Sequence, residues 1–138
     1  MINNNTLITI IIFAWGTGAI FTKMASDQLH PMMIAVVSTL LYIFVEIPIA
    51  LVIFKINTHV TVSGIVYALL SALLMSIGSI TYFFALQKGG AAEVTSVTSL
   101  YPVLTLVLAY LFLSEEMSLR KVIGCLLAVA SIILITKK

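Results

Sequence analysis

The sequence predicts an all-α, polytopic membrane protein with five transmembrane helices. Of its 138 residues, 62% are hydrophobic and only 9% charged, and the mean hydropathy is +1.22. Soluble domains run near roughly 45–50% apolar and about 25% charged, so this chain has too few charges to clothe a soluble surface. The apolar residues form continuous runs rather than alternating with polar ones, which favours helices over a membrane barrel. A spanning helix takes roughly 20 residues, so five of them joined by tight turns use nearly the whole chain and leave no room for a soluble domain.

The expected spans, in order, are 6–22, 31–54, 61–86, 91–113 and 119–136. The first closes at Lys23, Asp27, Gln28, His30 and Pro31. Asn57-Thr58 precedes the third. Gln87-Lys88-Gly89-Gly90 separates the third from the fourth, and paired glycines suit a helix stop and tight reversal. Ser114 caps or terminates the fourth beside Glu115 and Glu116, and Ser118 suits the N-cap of the fifth. Short loops make neighbouring helices antiparallel, and an odd number of spans places the termini on opposite sides. The N-terminal stretch lacks Lys and Arg, and further apolar segments follow it, so a cleaved signal peptide is not expected.

The seven basic residues sit singly or in pairs between the apolar runs, as membrane flanks and not as a nucleic-acid patch. With the N-terminus inside, the inner segments carry Lys55, Arg120 and Lys121, and the outer ones carry Lys23, Lys88, Lys137 and Lys138. So even a split leaves orientation unset. It is noise, or the chain inserts both ways and pairs with an inverted copy, reproducing an inverted-repeat transporter from one gene product.

Ionisable and hydroxyl residues inside the runs are the functional candidates. Glu46, about two turns from the end of the second span and near Pro48, is costly in hydrocarbon unless it faces protein or water. Cation binding, proton coupling, pairing across an interface and a purely structural carboxyl all suit it. Pro48 removes a donor and frees a backbone carbonyl. Glu93, at the start of the fourth span, sits where a helix N-terminus favours a carboxylate. Thr95, Ser96, Thr98 and Ser99 follow, lining a polar path or allowing close packing. Tyr101-Pro102 then interrupts the span, where a kink exposes carbonyls. Trp15 lies mid-span beside Gly16 and Gly18, as a cavity-lining aromatic or a packing residue. Tyr82 is an aromatic of the third span. Cys125 reads as a small packed hydrophobe. His30 and His59 have no metal-ligand partners at useful spacing. No cofactor or phosphate motif is present, and an enzyme is not expected.

From Tyr82 onward an ordered series emerges: Tyr82-Phe83-Phe84-Ala85-Leu86, Gly89-Gly90-Ala91-Ala92, Leu100-Tyr101-Pro102-Val103-Leu104-Thr105, Phe112-Leu113-Ser114-Glu115, then Ser118 and Gly124. With Trp15-Gly16 and Lys23 at the start, it resembles the EamA family of the drug/metabolite transporter superfamily over nearly the whole chain. Members commonly carry two five-helix units in inverted orientation. This chain resembles one unit, half of an inverted-repeat fold, like the small bacterial and archaeal five-span relatives. Ser114 stands where glycine is usual, and Lys121 where glutamine is frequent. Glu115 matches the family glutamate, in an ion-pair or capping role.

The resemblance implies a homodimer, antiparallel in arrangement, in a prokaryotic plasma membrane. It implies a secondary transporter exporting a small metabolite or amphipathic compound by alternating access, with membrane lipid as its surroundings and no nucleic-acid partner. Trp15, Tyr82, Thr95, Thr98, Ser99, Tyr101 and Pro102 would line the path, with Glu46 or Glu93 as the coupling or cation-contacting carboxylate. A non-transporting membrane subunit and a small multidrug-type cation exporter stay open as alternatives; the latter usually has four spans and a glutamate in the first.

Overall fold

The computed structural model describes residues 3–53 and 61–136. Asn57, Thr58, His59, Lys55, Phe54, Lys137 and Lys138 lie outside the described residues. The described residues form six α-helices and no strand: α1 (Asn4–Ser26), α2 (Pro31–Ile53), α3 (Val62–Lys88), α4 (Ala91–Thr98), α5 (Tyr101–Leu113) and α6 (Leu119–Thr136). With α4 and α5 counted as one span, five segments are long and apolar enough to cross a membrane. Hydrocarbon offers no hydrogen bonds, so the backbone of such segments must satisfy itself, and helices do so locally.

Helix ends follow side-chain chemistry. The Asn3 side chain accepts from the Asn5 N–H at 3.3 Å, starting α1 before the expected residue 6. At its other end α1 runs past residue 22 to Ser26, because the polar groups there are paired. Lys23 meets Asp27, and the Ser26 hydroxyl donates to the Lys23 carbonyl at 2.8 Å. His30 starts α2: its Nδ1 accepts from the Met32 N–H at 3.3 Å, and its ring meets Phe84 edge-on at 5.7 Å. Pro48 does not end α2, which continues to Ile53; having no N–H, it offers the Phe44 carbonyl no donor. Thr61 caps α3 through its hydroxyl oxygen, which accepts from the Gly64 N–H at 3.2 Å. Neither Gly89 nor Gly90 takes a positive φ, and Gly90 is the extended N-cap of α4. The Ser118 oxygen accepts from the Lys121 N–H at 3.3 Å and caps α6.

The chain divides into two compact units, residues 1–88 and 89–138. In the first, α1, α2 and α3 pack pairwise against one another. Their packing is confined to one end. The buried and half-buried residues fall within 18–26 of α1, 31–38 of α2 and 80–86 of α3, with Ala50 of α2 half-buried beyond them, whereas residues 4–17, 39–49 and 62–79 are all exposed. Ser26, Pro31, Ile34, Phe83 and Leu86 are the buried residues of the closed end. In the second unit α4 packs against α6.

Candidate functional site

The fourth span shows how sequence makes an irregular element inside a membrane. A single kinked helix over 91–113 is expected; instead the helix stops at Thr98 and restarts at Tyr101. Pro102 is the cause. It lies in the first turn of α5, where a proline's missing N–H costs nothing and its fixed φ suits the helix. The Thr98 carbonyl therefore receives no bond from residue 102. The N–H of Val103 turns to the Leu100 carbonyl (2.9 Å), and that of Leu100 to Val97 (3.2 Å). Each is one residue tighter than an α-helical bond, and each withdraws a donor from a carbonyl further back.

Hydroxyls make up part of that loss. The Ser99 hydroxyl donates to the Ser96 carbonyl at 2.6 Å, replacing the N–H that Leu100 gives to Val97. The Thr98 hydroxyl donates to Val94 at 2.8 Å and Thr95 at 3.1 Å. The carbonyls of Thr98 and Ser99 are left outside the helical ladder. The hydroxyl protons of Thr98 and Ser99 thus serve the local backbone. Glu93 occupies the first turn of α4, where the helix start stabilises its charge. Glu93, Thr95, Thr98, Ser99, Tyr101 and Pro102 thus share one short stretch of the second unit. Thr95 is half-buried, whereas the others are exposed.

Trp15, Glu46 and Tyr82 lie on three different helices of the first unit and do not form one cluster. By the 1.5 Å rise per residue, Tyr82 stands roughly 9 Å from the closed end of its helix, Trp15 roughly 17 Å and Glu46 roughly 22 Å. Tyr82 is half-buried within the closed end, whereas Trp15 and Glu46 lie in the exposed half. Trp15 is 67% exposed, so within this unit it is not a packing residue. An open groove of about 210 Å³ runs between α1 and α2 at the closed end, lined by Phe21, Thr22, Ala25, Ile34, Val37 and Ser38 among others. None of the expected site residues lines it.

Two further residues of α2, Tyr42 and Ser38, belong beside Glu46. They precede Glu46 by one and two helical turns, at i−4 and i−8, and so share its face of α2. That spacing was the available signal. In the sequence Lys23 has no role beyond closing a span, although its ammonium ties α1 to α3 by donating to the Leu86 carbonyl at 2.9 Å. At the start of α6, Lys121 pairs with Glu115 at 3.7 Å and donates to the Glu116 carbonyl at 2.9 Å. Both side chains of that pair are about half exposed, which makes it worth little in stability.

Comparison with known proteins agrees with this architecture. Residues 5–137 match the EamA-like transporter family, and the chain belongs to that family. It is also 33% identical, over 128 residues, to an uncharacterized protein of Methanocaldococcus jannaschii, a match covering 92% of this chain and 91% of the relative. No solved structure matches it. The chain is therefore a membrane protein of a family of transporters, not of enzymes.

Proposed function

We propose that the chain is one half of a secondary transporter of a prokaryotic plasma membrane, completed by a second, antiparallel copy. It exports a small metabolite or amphipathic compound by alternating access between the copies. The interrupted fourth span carries this reading. Non-helical backbone at membrane depth is tolerated where protein or a water-filled cavity covers it, and broken helices with free carbonyls are typical of substrate sites in transporters. Here the break falls within an apolar span and leaves the carbonyls of Thr98 and Ser99 available beside hydroxyls and Tyr101. Trp15, Tyr82, Glu46 and Glu93 are the further path residues, with the two carboxylates as candidates for coupling. The near-even split of basic residues supports insertion in both orientations.

The test is flux by the chain alone. The purified protein, reconstituted without other proteins, is expected to move members of a panel of labelled amines, amino acids and amphipathic dyes across liposomes when a proton gradient is imposed. A protein that moves none of them, and recovers function only with another membrane protein, is a non-transporting subunit instead.

A further inference from the structure

The inner row of α2 changes surroundings along its length. Pro31, Ala35, Ser38, Tyr42 and Glu46 follow one another at three- and four-residue steps, the spacing of a single helix face. Pro31 is buried, Ala35 and Ser38 are half-buried, and Tyr42 and Glu46 are exposed. The face that grips α1 and α3 at the closed end thus emerges, toward the other end, carrying an aromatic ring and a carboxylate one turn apart.

From these observations we propose that Glu46 anchors a binding site for a small monovalent organic cation, with Tyr42 as its aromatic wall. The proposal rests on the transporter reading and names its substrate class. An ionised carboxylate inside a membrane needs a partner of opposite charge. Among the described residues Glu46 makes no ion pair and no hydrogen bond through its side chain. The helices packed against α2 supply no cation at its depth. From α1 the titratable groups are Lys23 and, just beyond the helix, Asp27; both lie at the closed end and bind each other at 2.6 Å. From α3 they are Tyr67, Tyr82 and Lys88. Lys88 and Tyr82 lie toward the closed end, and Tyr67 lies beyond the depth of Glu46, roughly 31 Å from that end by the 1.5 Å rise per residue.

A second copy does not change the balance. Every basic residue of the described chain stands in the first or last turn of a spanning helix, so an inverted copy places its own at the membrane faces as well. Among the described residues no cation reaches Glu46, and the proposal takes one from solution or from the bilayer. A carboxylate supplies its charge complement, and an aromatic face one turn away attracts a weakly hydrated organic cation. Glu93 is the weaker candidate, because the start of α4 already offsets its charge.

Binding is measured apart from transport. The probe is tetraphenylphosphonium, with ethidium as a second cation, and the protein is held in nanodiscs of neutral phosphatidylcholine. Saturable binding of at least one probe is expected. Glu46→Gln should weaken it about tenfold or more and Tyr42→Ala by roughly threefold, while Glu46→Asp, which keeps the charge, retains most of it. Glu116→Gln, outside the spans, should leave it unchanged. Should Glu46→Gln fail to fold, the wild-type chain answers: saturating cation is expected to protect Glu46 from a hydrophobic carbodiimide, as read by mass spectrometry.

Absence of saturable binding of both cations overturns the proposal. So does equal binding by a folded Glu46→Gln, or a lack of protection. A wild-type chain that binds neither cation but falls from dimer to monomer on Glu46→Gln would make the carboxyl a contact between copies. Intact, Glu46-dependent binding without flux in liposomes would retire the transporter reading and leave the site standing.

Discussion

The ammonium of Lys23, in the last turn of α1, donates to the carbonyl oxygen of Leu86 near the end of α3 at 2.9 Å, while holding Asp27 at 2.6 Å. Leu86 is wholly buried, and its carbonyl belongs to the last turn of a helix, where no intrahelical donor remains. A cation at a helix C-terminus also opposes the helix dipole. One side chain thus ties two parallel helices at the end where the first unit is packed.

Lys23→Met keeps the stem and removes the bonds. It should destabilise the protein in detergent by about 1–2 kcal/mol, the cost of leaving a buried carbonyl without its charged donor. The readout is the unfolding midpoint together with faster amide exchange over residues 83–88. An unchanged midpoint would mean that apolar packing around Leu86 and Phe83 alone closes that end.

Ser114 ends α5 with φ 55°, the one positive φ at a non-glycine residue among the described residues. The left-handed region costs an L-residue roughly 1 kcal/mol that glycine avoids. Ser114→Gly is therefore expected to stabilise the protein by about 0.4–1 kcal/mol, and Ser114→Val to destabilise it by more than that. Thermal unfolding of the two variants side by side checks the sign.

Pro102→Ala restores an N–H to the residue that breaks the fourth span. The Thr98 carbonyl then regains its donor, and α4 and α5 can join as one helix. Stability should hold or rise by up to about 1 kcal/mol, while transport falls, because the free carbonyls are withdrawn from the path. Unchanged flux with a continuous helix would remove the break from the mechanism.

Much of this fold is legible in the sequence, because spans are set by runs of apolar residues and their ends by a few polar ones. Ser118 as the cap of α6 and the interruption near Tyr101-Pro102 follow from local chemistry. The extension of α1 through Lys23 did not, because the pairing of its polar groups includes, beside the local contacts, a carbonyl 63 residues away. The break fell at Ser99 and Leu100, just before the expected kink, because a proline fits the first turn of a new helix better than the middle of an old one. Which face of each span is covered was not legible. Helices apolar all round carry little periodic signal, so the exposure of Trp15 and the emergence of Tyr42 and Glu46 from the packed row of α2 appear only in three dimensions.

The central claim is that one chain supplies both inverted halves of a transporter. The most direct test is membrane topology, read from C-terminal fusions to one reporter active only in the cytoplasm and another active only in the periplasm, in the same host. Comparable activity from both fusions is expected. Activity from one fusion alone would contradict it, and would require a different five-span chain, or a parallel assembly, to complete the path.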